Sequence, residues 1–201
     1  MSTIKVNSIE NRNGSSITIG KTGTTVDFAA GTTVDFSTNS PTLTGVATTN
    51  GITEADQWRL TADITTNTNP ITSNLERINN TGFGYIGTGM SVSSGIWSFP
   101  TTGIYLIIAT LDASGETGDN IALNINTTTD NSTYTSVAEC VTSGGTGPTI
   151  NQSTQIVFFD VTNTSTHKVK FDVTSLGTNA SVRGGTVESK TVFTFIRIGD
   201  T

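Results

Sequence analysis

A short repeat near the N-terminus constrains the fold of this chain more than any other feature of its sequence. The hexapeptide GTTVDF occupies Gly23–Phe28 and again Gly31–Phe36, and a looser copy occupies Gly14–Ile19. Each copy predicts a glycine-led turn followed by a short alternating strand, which is typical of β-solenoids and fibres. Two apolar side chains per copy bury too little surface to stabilise one thin chain. The repeat therefore predicts that several chains wind together and share one core.

The apolar residues of each copy lie at alternate positions, so each copy presents one apolar strip to the shared core. Three chains are the usual number in such β-prisms, and the repeat itself leaves the number open. The side chains that we expect at this interface between chains are Ile17, Ile19, Val26, Phe28, Val34 and Phe36.

The composition predicts an all-β, loop-rich protein. Thr, Ser, Asn and Gly together make up half of the 201 residues, whereas 33% of the residues are hydrophobic and 13% are charged. Such a mixture favours strands and turns over helices. From Trp58 to Thr201 the sequence predicts one strand after another. The one helical turn that we expect lies at Thr53–Trp58, where Thr53 precedes an acidic residue by three positions.

Charge and rare residues exclude several classes of function. The chain has 16 acidic and 10 basic residues and a net charge of −6, which disfavours binding to nucleic acid or to an anionic membrane. His167 is the only histidine and Cys140 the only cysteine, which excludes a two-histidine metal centre and an intrachain disulfide. The first residues lack the apolar region of a signal peptide, and no apolar run is long enough to span a membrane. We expect no cofactor, no membrane insertion and no ordinary enzymatic activity.

Two of the predicted strands are apolar on both faces. Gly103–Ala109 and Ile156–Phe159 carry apolar side chains at successive positions, whereas a strand with one solvated face alternates between apolar and polar residues. One face of each strand packs on the opposite sheet of a sandwich, and the other face needs a second cover. Because the sequence offers no helices for that cover, a subunit interface is the simplest choice. We therefore expect Tyr105, Ile107 and Phe158 at the interface between chains.

Most of the chain resembles the C1q/TNF-like superfamily. The segment Gly95–Leu106, GIWSFPTTGIYL, is similar to the strand–turn–strand signature of that family. Thr191–Ile198 is similar to its last core strand and Trp58–Thr61 to its first. The resemblance covers residues 52–201. It implies an all-β jelly roll of ten strands that assembles as a homotrimer around its inner sheet.

The first 45 residues resemble the N-termini of virion fibre proteins of marine bacteriophages. The resemblance lies in Met1–Asn7, MSTIKVN, and in Asn11–Gly20. Proteins of that kind attach to the particle through the N-terminal segment, continue as a thin trimeric shaft and often end in a C1q/TNF-like knob.

The two resemblances together imply three regions and a location in the virion. Residues 1–13 form the attachment segment, residues 14–51 the β-repeat shaft with its connector, and residues 52–201 the knob. The implied protein is a non-enzymatic tail or head fibre whose partners are other virion proteins and a glycan or protein of the host surface. The residues that we expect to contact the virion are Ile4, Val6 and Ile9.

Loops of the knob are the expected receptor-binding elements, because binding residues concentrate on loops held by a rigid scaffold. We place these loops at Asp112–Asn120, Thr127–Thr133 and Ser143–Pro148. The three carboxylates of the first loop also offer oxygen ligands for Ca²⁺, but their spacing matches no EF-hand and loop acids are usually just solvated. The residues that we expect to face the receptor are Asp112, Glu116, Asp119, Asp130 and Gly145.

Two alternative functions stay open at this point. A free carbohydrate-binding or adhesion module predicts a dispensable N-terminal repeat, and a small glycan depolymerase predicts a pair of carboxylates in a groove. Trp58 and Trp97 are expected to anchor the core or an interface rather than to stack on sugars. The match of Gly82–Gly87 to a dinucleotide-binding motif is accidental, because no strand precedes it and no helix can follow it. The candidate carboxylates for hydrolysis are Glu54, Asp56, Glu76 and Glu139.

Overall fold

The computed structural model describes residues 51–201 except residues 117–119, 145, 146 and 148. The described residues belong to one compact unit. The predicted attachment segment and shaft lie outside the described residues, as do two of the residues predicted to face a receptor. The predicted site residues concerned are Ile4, Val6, Ile9, Ile17, Ile19, Val26, Phe28, Val34, Phe36, Asp119 and Gly145.

Strands are the regular elements of the described part of the chain, as the composition predicted. None of its segments is a helix long and apolar enough to cross a membrane. The strands are β1 Ala55–Leu60, β2 Leu75–Arg77, β3 Ser91–Ser93, β4 Ile96–Ser98, β5 Gly103–Gly115, β6 Asn120–Thr128, β7 Thr135–Ser143, β8 Thr149–Val161, β9 Lys168–Thr174, β10 Ser181–Val182 and β11 Val192–Gly199.

The strands form two antiparallel sheets that share one core. The first sheet has the order β10-β5-β11-β1-β2, with β8 on the other side of β5, and the second has the order β3-β4-β9-β6-β7. The chain passes repeatedly from one sheet to the other, and its last strand, β11, pairs with β1 and with β5. This arrangement confirms the predicted all-β sandwich.

The beginning of the first sheet differs from the prediction. β1 is a strand where Thr53–Trp58 predicted a helical turn. Trp58 pairs with Phe193 of β11 on one side and with Arg77 of β2 on the other. Backbone hydrogen bonds to two neighbouring strands exist only in the tertiary structure, and they outweigh the local preference for a single helical turn.

β5 sends alternate side chains to opposite sides of the first sheet. Tyr105 and Ile107 are 1% and 0% exposed and lie in the core between the sheets. The ring of Tyr105 packs 4.7 Å from that of Phe99, and its hydroxyl donates to the carbonyl oxygen of Thr101. The prediction that Tyr105 and Ile107 contact another chain is therefore wrong, because side chains buried inside their own sandwich leave no surface for a second chain. The positions between them, such as Leu106, point outward.

An aromatic cluster around Trp97 joins the two sheets. Trp97 of β4 is 1% exposed, and its ring centroid lies 4.9 Å from that of Trp58 and 5.1 Å from that of Phe195. Phe171 of β9 and Phe193 of β11 meet across the sandwich at 4.3 Å. Burying one such side chain completely contributes about 1.5–3 kcal/mol to folding. The cluster therefore fixes β4 and β9 of the second sheet against β1 and β11 of the first.

Candidate functional site

A strip of apolar side chains follows β5, β8 and β11 on the outward side of the first sheet. Leu106 pairs with Phe158 and Ile108 pairs with Ile156 across β5 and β8. On the other side of β5, Leu106 pairs with Ile196 of β11. We call these five residues the apolar face. Phe158 is 69% exposed and Ile156 is 54% exposed, so much of the face is open to solvent in a single chain.

Polar residues mark both ends of the apolar face. At one end, Ile104 of β5 pairs with the exposed Asp160 of β8. At the other end, Thr110 pairs with Thr154, and their hydroxyl oxygens lie 3.1 Å apart. The two outward pairs of β5 and β8 between these ends are entirely aliphatic or aromatic. The face is therefore a bounded patch and not a scatter of single exposed residues, which are common on any protein surface.

A glycine-rich loop extends the apolar face beyond β1. Ile86 and Ala55 form two backbone hydrogen bonds of 2.8 and 3.1 Å, and Ala55 pairs with Ile196. Tyr85 and Ile86 are 50% and 49% exposed and border a depression of about 220 Å³ beside β11. The sequence pattern of Gly82–Gly87 predicted no role for this loop. The available signal was a set of three large apolar residues, Phe83, Tyr85 and Ile86, between the glycines of this loop.

The apolar face has the character of an interaction surface. Large contiguous apolar patches on soluble domains mark sites that contact another protein or ligand. Phe158 belongs to this face and is 69% exposed, so the prediction that it contacts another chain stays a prediction with a side chain in a suitable position. Tyr105 and Ile107, in contrast, lie on the opposite side of the same sheet.

Asp112 lies in β5 and not in a loop, and it is 4% exposed. Its Oδ1 accepts a hydrogen bond from Nη1 of Arg183 and its Oδ2 one from Nε2 of Gln152, both at 2.9 Å. The prediction that Asp112 faces a receptor is wrong, because β5 continues beyond the apolar residues Gly103–Ala109 and includes Asp112. β8 pairs with it as far as Gly115, which lies opposite Thr149. Asp112 instead holds the segment that follows β10 against the first sheet.

Glu116 follows the end of β5 directly. Its Oε2 accepts a hydrogen bond from Nδ2 of Asn179 at 3.3 Å. In the described ranges, no three side chains of His, Cys, Asp or Glu come together as a metal site. Of the three carboxylates considered for Ca²⁺, Asp112 is committed to Arg183 and Asp119 lies outside the described residues.

Asp130 lies in the turn between β6 and β7 and is exposed, as predicted for a loop residue. Its Oδ1 accepts hydrogen bonds from the backbone N–H groups of Ser132 and Thr133 at 2.8 Å and from the hydroxyl of Thr128 at 2.7 Å. These hydrogen bonds hold the pKa of Asp130 far below its usual range. The bond from Thr133 has the largest effect, followed by those from Thr128 and Ser132. The carboxylate therefore shapes this turn, and contact with a receptor stays a prediction.

Two of the carboxylates considered for hydrolysis are engaged at the edge of the first sheet. The Glu54 carboxylate accepts hydrogen bonds from the backbone N–H groups of Thr88 and Gly89, both at 2.9 Å. Glu76 of β2 accepts hydrogen bonds from the buried guanidinium of Arg59, the shorter at 2.9 Å. Both side chains hold neighbouring segments in place, which is a structural use of a carboxylate.

Comparison with known proteins identifies the fold of the described residues. No protein-family model matches the chain, and no curated protein matches it in sequence. The structure of murine APRIL at pH 5.0 superposes with a TM-score of 0.54 at 12% identity, covering 72% of this chain and 98% of that one. The structure of Eiger TNF from S. frugiperda superposes with a TM-score of 0.56 at 12% identity, covering 73% of this chain and 93% of that one. The described domain is a TNF-like jelly roll.

The segments that carry the sequence resemblance occupy matching places in this TNF-like jelly roll. Gly95–Leu106 forms β4, the turn after it and the start of β5. Thr191–Ile198 forms most of β11, at the centre of the first sheet, and Trp58 lies in its neighbour β1. The resemblance to the C1q/TNF-like superfamily is thus confirmed for the fold. At 12% identity, the likeness to the solved structures concerns the fold alone.

Proposed function

We propose that this chain is a non-enzymatic structural protein of a phage virion, a homotrimeric tail or head fibre whose TNF-like knob binds the surface of the host cell. The observation that carries the proposal is the apolar face of the knob. A single chain leaves this face open, although the strands beneath it are fully covered on their other side.

Burial of the apolar face in an assembly is energetically favourable. The exposed side chains of Phe158 and Ile156 gain up to about 1.5–3 kcal/mol each when they are completely removed from water. That gain has to exceed the loss of translational and rotational freedom on association. Five residues per chain, extended by Tyr85 and Ile86, give each subunit a continuous surface for this purpose. The resemblance to the C1q/TNF-like superfamily implies that the assembled surface is this inner sheet and that the number of chains is three.

The N-terminal repeat supports the same oligomeric state from a separate part of the sequence. Its apolar strips need partner chains, and a trimeric shaft joined to a trimeric knob satisfies both requirements with one symmetry. The likeness of the first 45 residues to phage fibre N-termini supports a place in the virion, with residues 1–13 as the attachment segment. Three copies of a weak binding site on one knob increase the avidity for a host surface without any new contact.

The carboxylates support a structural role over glycan hydrolysis. A glycosidase needs two carboxyl groups that flank one bond of the substrate. Glu54 and Glu76 are engaged with backbone N–H groups and with Arg59, respectively, and Asp112 is paired with Arg183.

The first test is the solution mass of the full chain by light scattering at several concentrations. We expect three times the subunit mass of 21.0 kDa. A monomer at all concentrations would contradict the trimer and would favour a free adhesion module.

The second test concerns the virion. Mass spectrometry of purified particles should detect the chain as a structural component, and a chain that lacks residues 1–13 should form a folded trimer that no longer joins particles. Normal incorporation of the shortened chain would refute the attachment segment, and absence of the full chain from particles would refute the virion role.

A further inference from the structure

A depression of about 220 Å³ lies beside the apolar face, where β11, β1 and the glycine-rich loop meet. We call it the loop depression. Its volume is below the range of small-molecule sites, about 300–1,000 Å³, so it suits a single inserted side chain better than a separate ligand. The lining residues that matter for its chemistry are Ala55, Gln57, Tyr85, Ile86, Thr194 and Ile196.

The loop depression and Phe158 lie at opposite margins of one row of the first sheet. Phe158 of β8 pairs with Leu106 of β5, which pairs with Ile196 of β11. Ile196 pairs with Ala55 of β1, and Ala55 pairs with Ile86 of the loop. Three strand spacings, about 14 Å, therefore separate β8 from β1. A phenylalanine side chain does not span that distance, so Phe158 cannot fill the depression of its own chain.

The two margins complement each other. Phe158 is 69% exposed at one margin, and the half-exposed Tyr85 and Ile86 border the depression at the other. Nε2 of Gln57 donates to Oγ1 of Thr194 at 2.9 Å, so these polar lining groups keep a partner when water leaves. An exposed ring at one margin and a depression at the other suit a heterologous contact between identical chains, which closes into a ring when the rotation between neighbours is a whole fraction of a turn.

The loop side of the depression is held in place within one chain. The ring centroid of Tyr85 lies 4.4 Å from the guanidinium carbon of Arg77. Ile86 and Ala55 exchange two backbone hydrogen bonds, and the Glu54 carboxylate accepts two more backbone N–H groups just after the loop, both at 2.9 Å. The depression is thus formed before a second chain arrives, which lowers the entropy that association loses.

We propose that Phe158 of one chain inserts into the loop depression of a neighbouring copy, so that each chain provides the ring at one margin and receives a ring at the other. The inference rests on the proposed function, because it names the contact that joins the copies of the knob. It also gives the glycine-rich loop a role, which is to complete the surface that receives Phe158.

The first test is a double-mutant cycle on the association of the full chain, with Phe158→Ala, Ile86→Ala and the variant that carries both. Within one chain these residues lie more than about 10 Å apart, so their effects on association multiply unless the residues meet between chains. The control cycle combines Phe158→Ala with Val187→Ala, since Val187 is 86% exposed outside the apolar face. Analytical ultracentrifugation measures the concentration at which each oligomer dissociates, and urea unfolding verifies that each variant is folded.

We expect Phe158→Ala and Ile86→Ala each to raise the dissociation concentration at least about threefold, and the double variant to fall short of the product of the two effects by at least about threefold. In the control cycle the effects should multiply. The inference is overturned if Ile86→Ala associates as the wild type does, or if the effects of Phe158→Ala and Ile86→Ala also multiply.

The second test is chemical cross-linking of the chain that carries Phe158→Cys and Ile86→Cys, at a concentration at which it is oligomeric. A short bismaleimide should join neighbouring chains into covalent dimers and larger products on a denaturing gel, whereas Phe158→Cys with Val187→Cys should remain monomeric. The natural Cys140 is 0% exposed and does not compete for the reagent. Covalent dimers of equal yield from Phe158→Cys alone would show that the Phe158 side chains meet one another, which would overturn the inference.

The solution mass of the wild-type chain separates this inference from the proposed function. A monomer at all concentrations would overturn the inference together with the proposed trimer. A trimer with multiplying effects in both cycles and without the specific cross-link would overturn the inference alone and leave the proposed function standing.

Discussion

The two sheets of the sandwich differ in the polarity of their outward faces. On the first sheet, the apolar face leaves Phe158 69% exposed. On the second sheet, polar side chains of β6 and β9 cover one another, and Asn124, Asn126 and Asp172 are only 8%, 7% and 6% exposed. We call the second surface the polar face, which comprises Asn124, Asn126, Lys170, Asp172 and Thr174.

The polar face satisfies its own hydrogen bonds within one chain. Nδ2 of Asn126 donates to Oδ1 of Asp172, and Nδ2 of Asn124 donates to Oγ1 of Thr174 at 3.0 Å. Every buried side-chain nitrogen or oxygen of the described residues has a hydrogen-bond partner. Polar groups can be satisfied by neighbours in the same sheet, whereas an apolar surface gains only by leaving water. The difference teaches that the outward side of the second sheet is covered within a single chain, whereas that of the first sheet leaves apolar side chains exposed.

The largest expected effect concerns the core that both faces share. Trp97→Ala should lower the free energy of unfolding by about 3–5 kcal/mol, because it removes the ring at the centre of the aromatic cluster and leaves a cavity. Urea unfolding followed by far-UV circular dichroism measures the change. A loss below about 1 kcal/mol would contradict a core that joins the two sheets through Trp97.

The next largest effect is a loss of stability at the edge where the two sheets meet, which belongs to neither face. Asp56→Ala should lower the free energy of unfolding by about 2–4 kcal/mol, because Arg77, Trp58 and Met90 each lose a hydrogen-bond acceptor. The control is Asp200→Ala, which removes the exposed ion pair with Arg197 and should change stability by at most about 1 kcal/mol. Equal effects of the two variants in urea unfolding would refute the anchoring role of Asp56.

Phe158→Asp should weaken association of the chains and leave each knob folded. If the oligomer buries the apolar face, a carboxylate placed there costs several kcal/mol, and about 1.4 kcal/mol corresponds to a tenfold change in an equilibrium constant. We expect the concentration at which the oligomer dissociates, measured by analytical ultracentrifugation, to rise at least tenfold. Val187→Asp changes a residue that is 86% exposed outside the apolar face and should leave association unchanged. If Phe158→Asp left the dissociation concentration of the oligomer unchanged, the proposed difference between the two faces would be refuted.

The smallest effect concerns the polar face and depends on pH. Burial raises the pKa of Asp172 above 3.8, although Lys170 and the hydrogen bond from Asn126 lower it in part. The folded chain therefore binds this proton more tightly than the unfolded chain, so ionised Asp172 reduces stability at neutral pH, and the reduction disappears as the pH falls through the raised pKa. Asp172→Asn should stabilise the fold by less than about 1 kcal/mol at pH 7 and lose this advantage in acid. Thermal unfolding across that pH range measures the difference, and a pH-independent effect would contradict the assignment.

Local patterns in the sequence were sufficient to predict the fold class and the presence of more apolar surface than the core of one sandwich can bury. β-Branched and turn residues predicted strands, and the Gly95–Leu106 signature pointed to the jelly roll that the structure contains. Successive apolar residues in β5 and β8 predicted apolar side chains on both faces of these strands. Those properties follow from residue type and spacing, which are local.

The tertiary structure decided which side of each strand faces which neighbour and where each strand ends. An alternating strand defines two sets of side chains, but only the position of the second sheet makes Tyr105 inward and Leu106 outward. In the same way, β8 pairs with β5 far enough to turn Asp112 from an expected loop residue into a buried partner of Arg183. Pairing and packing between distant segments depend on the whole chain, so no local pattern specifies them.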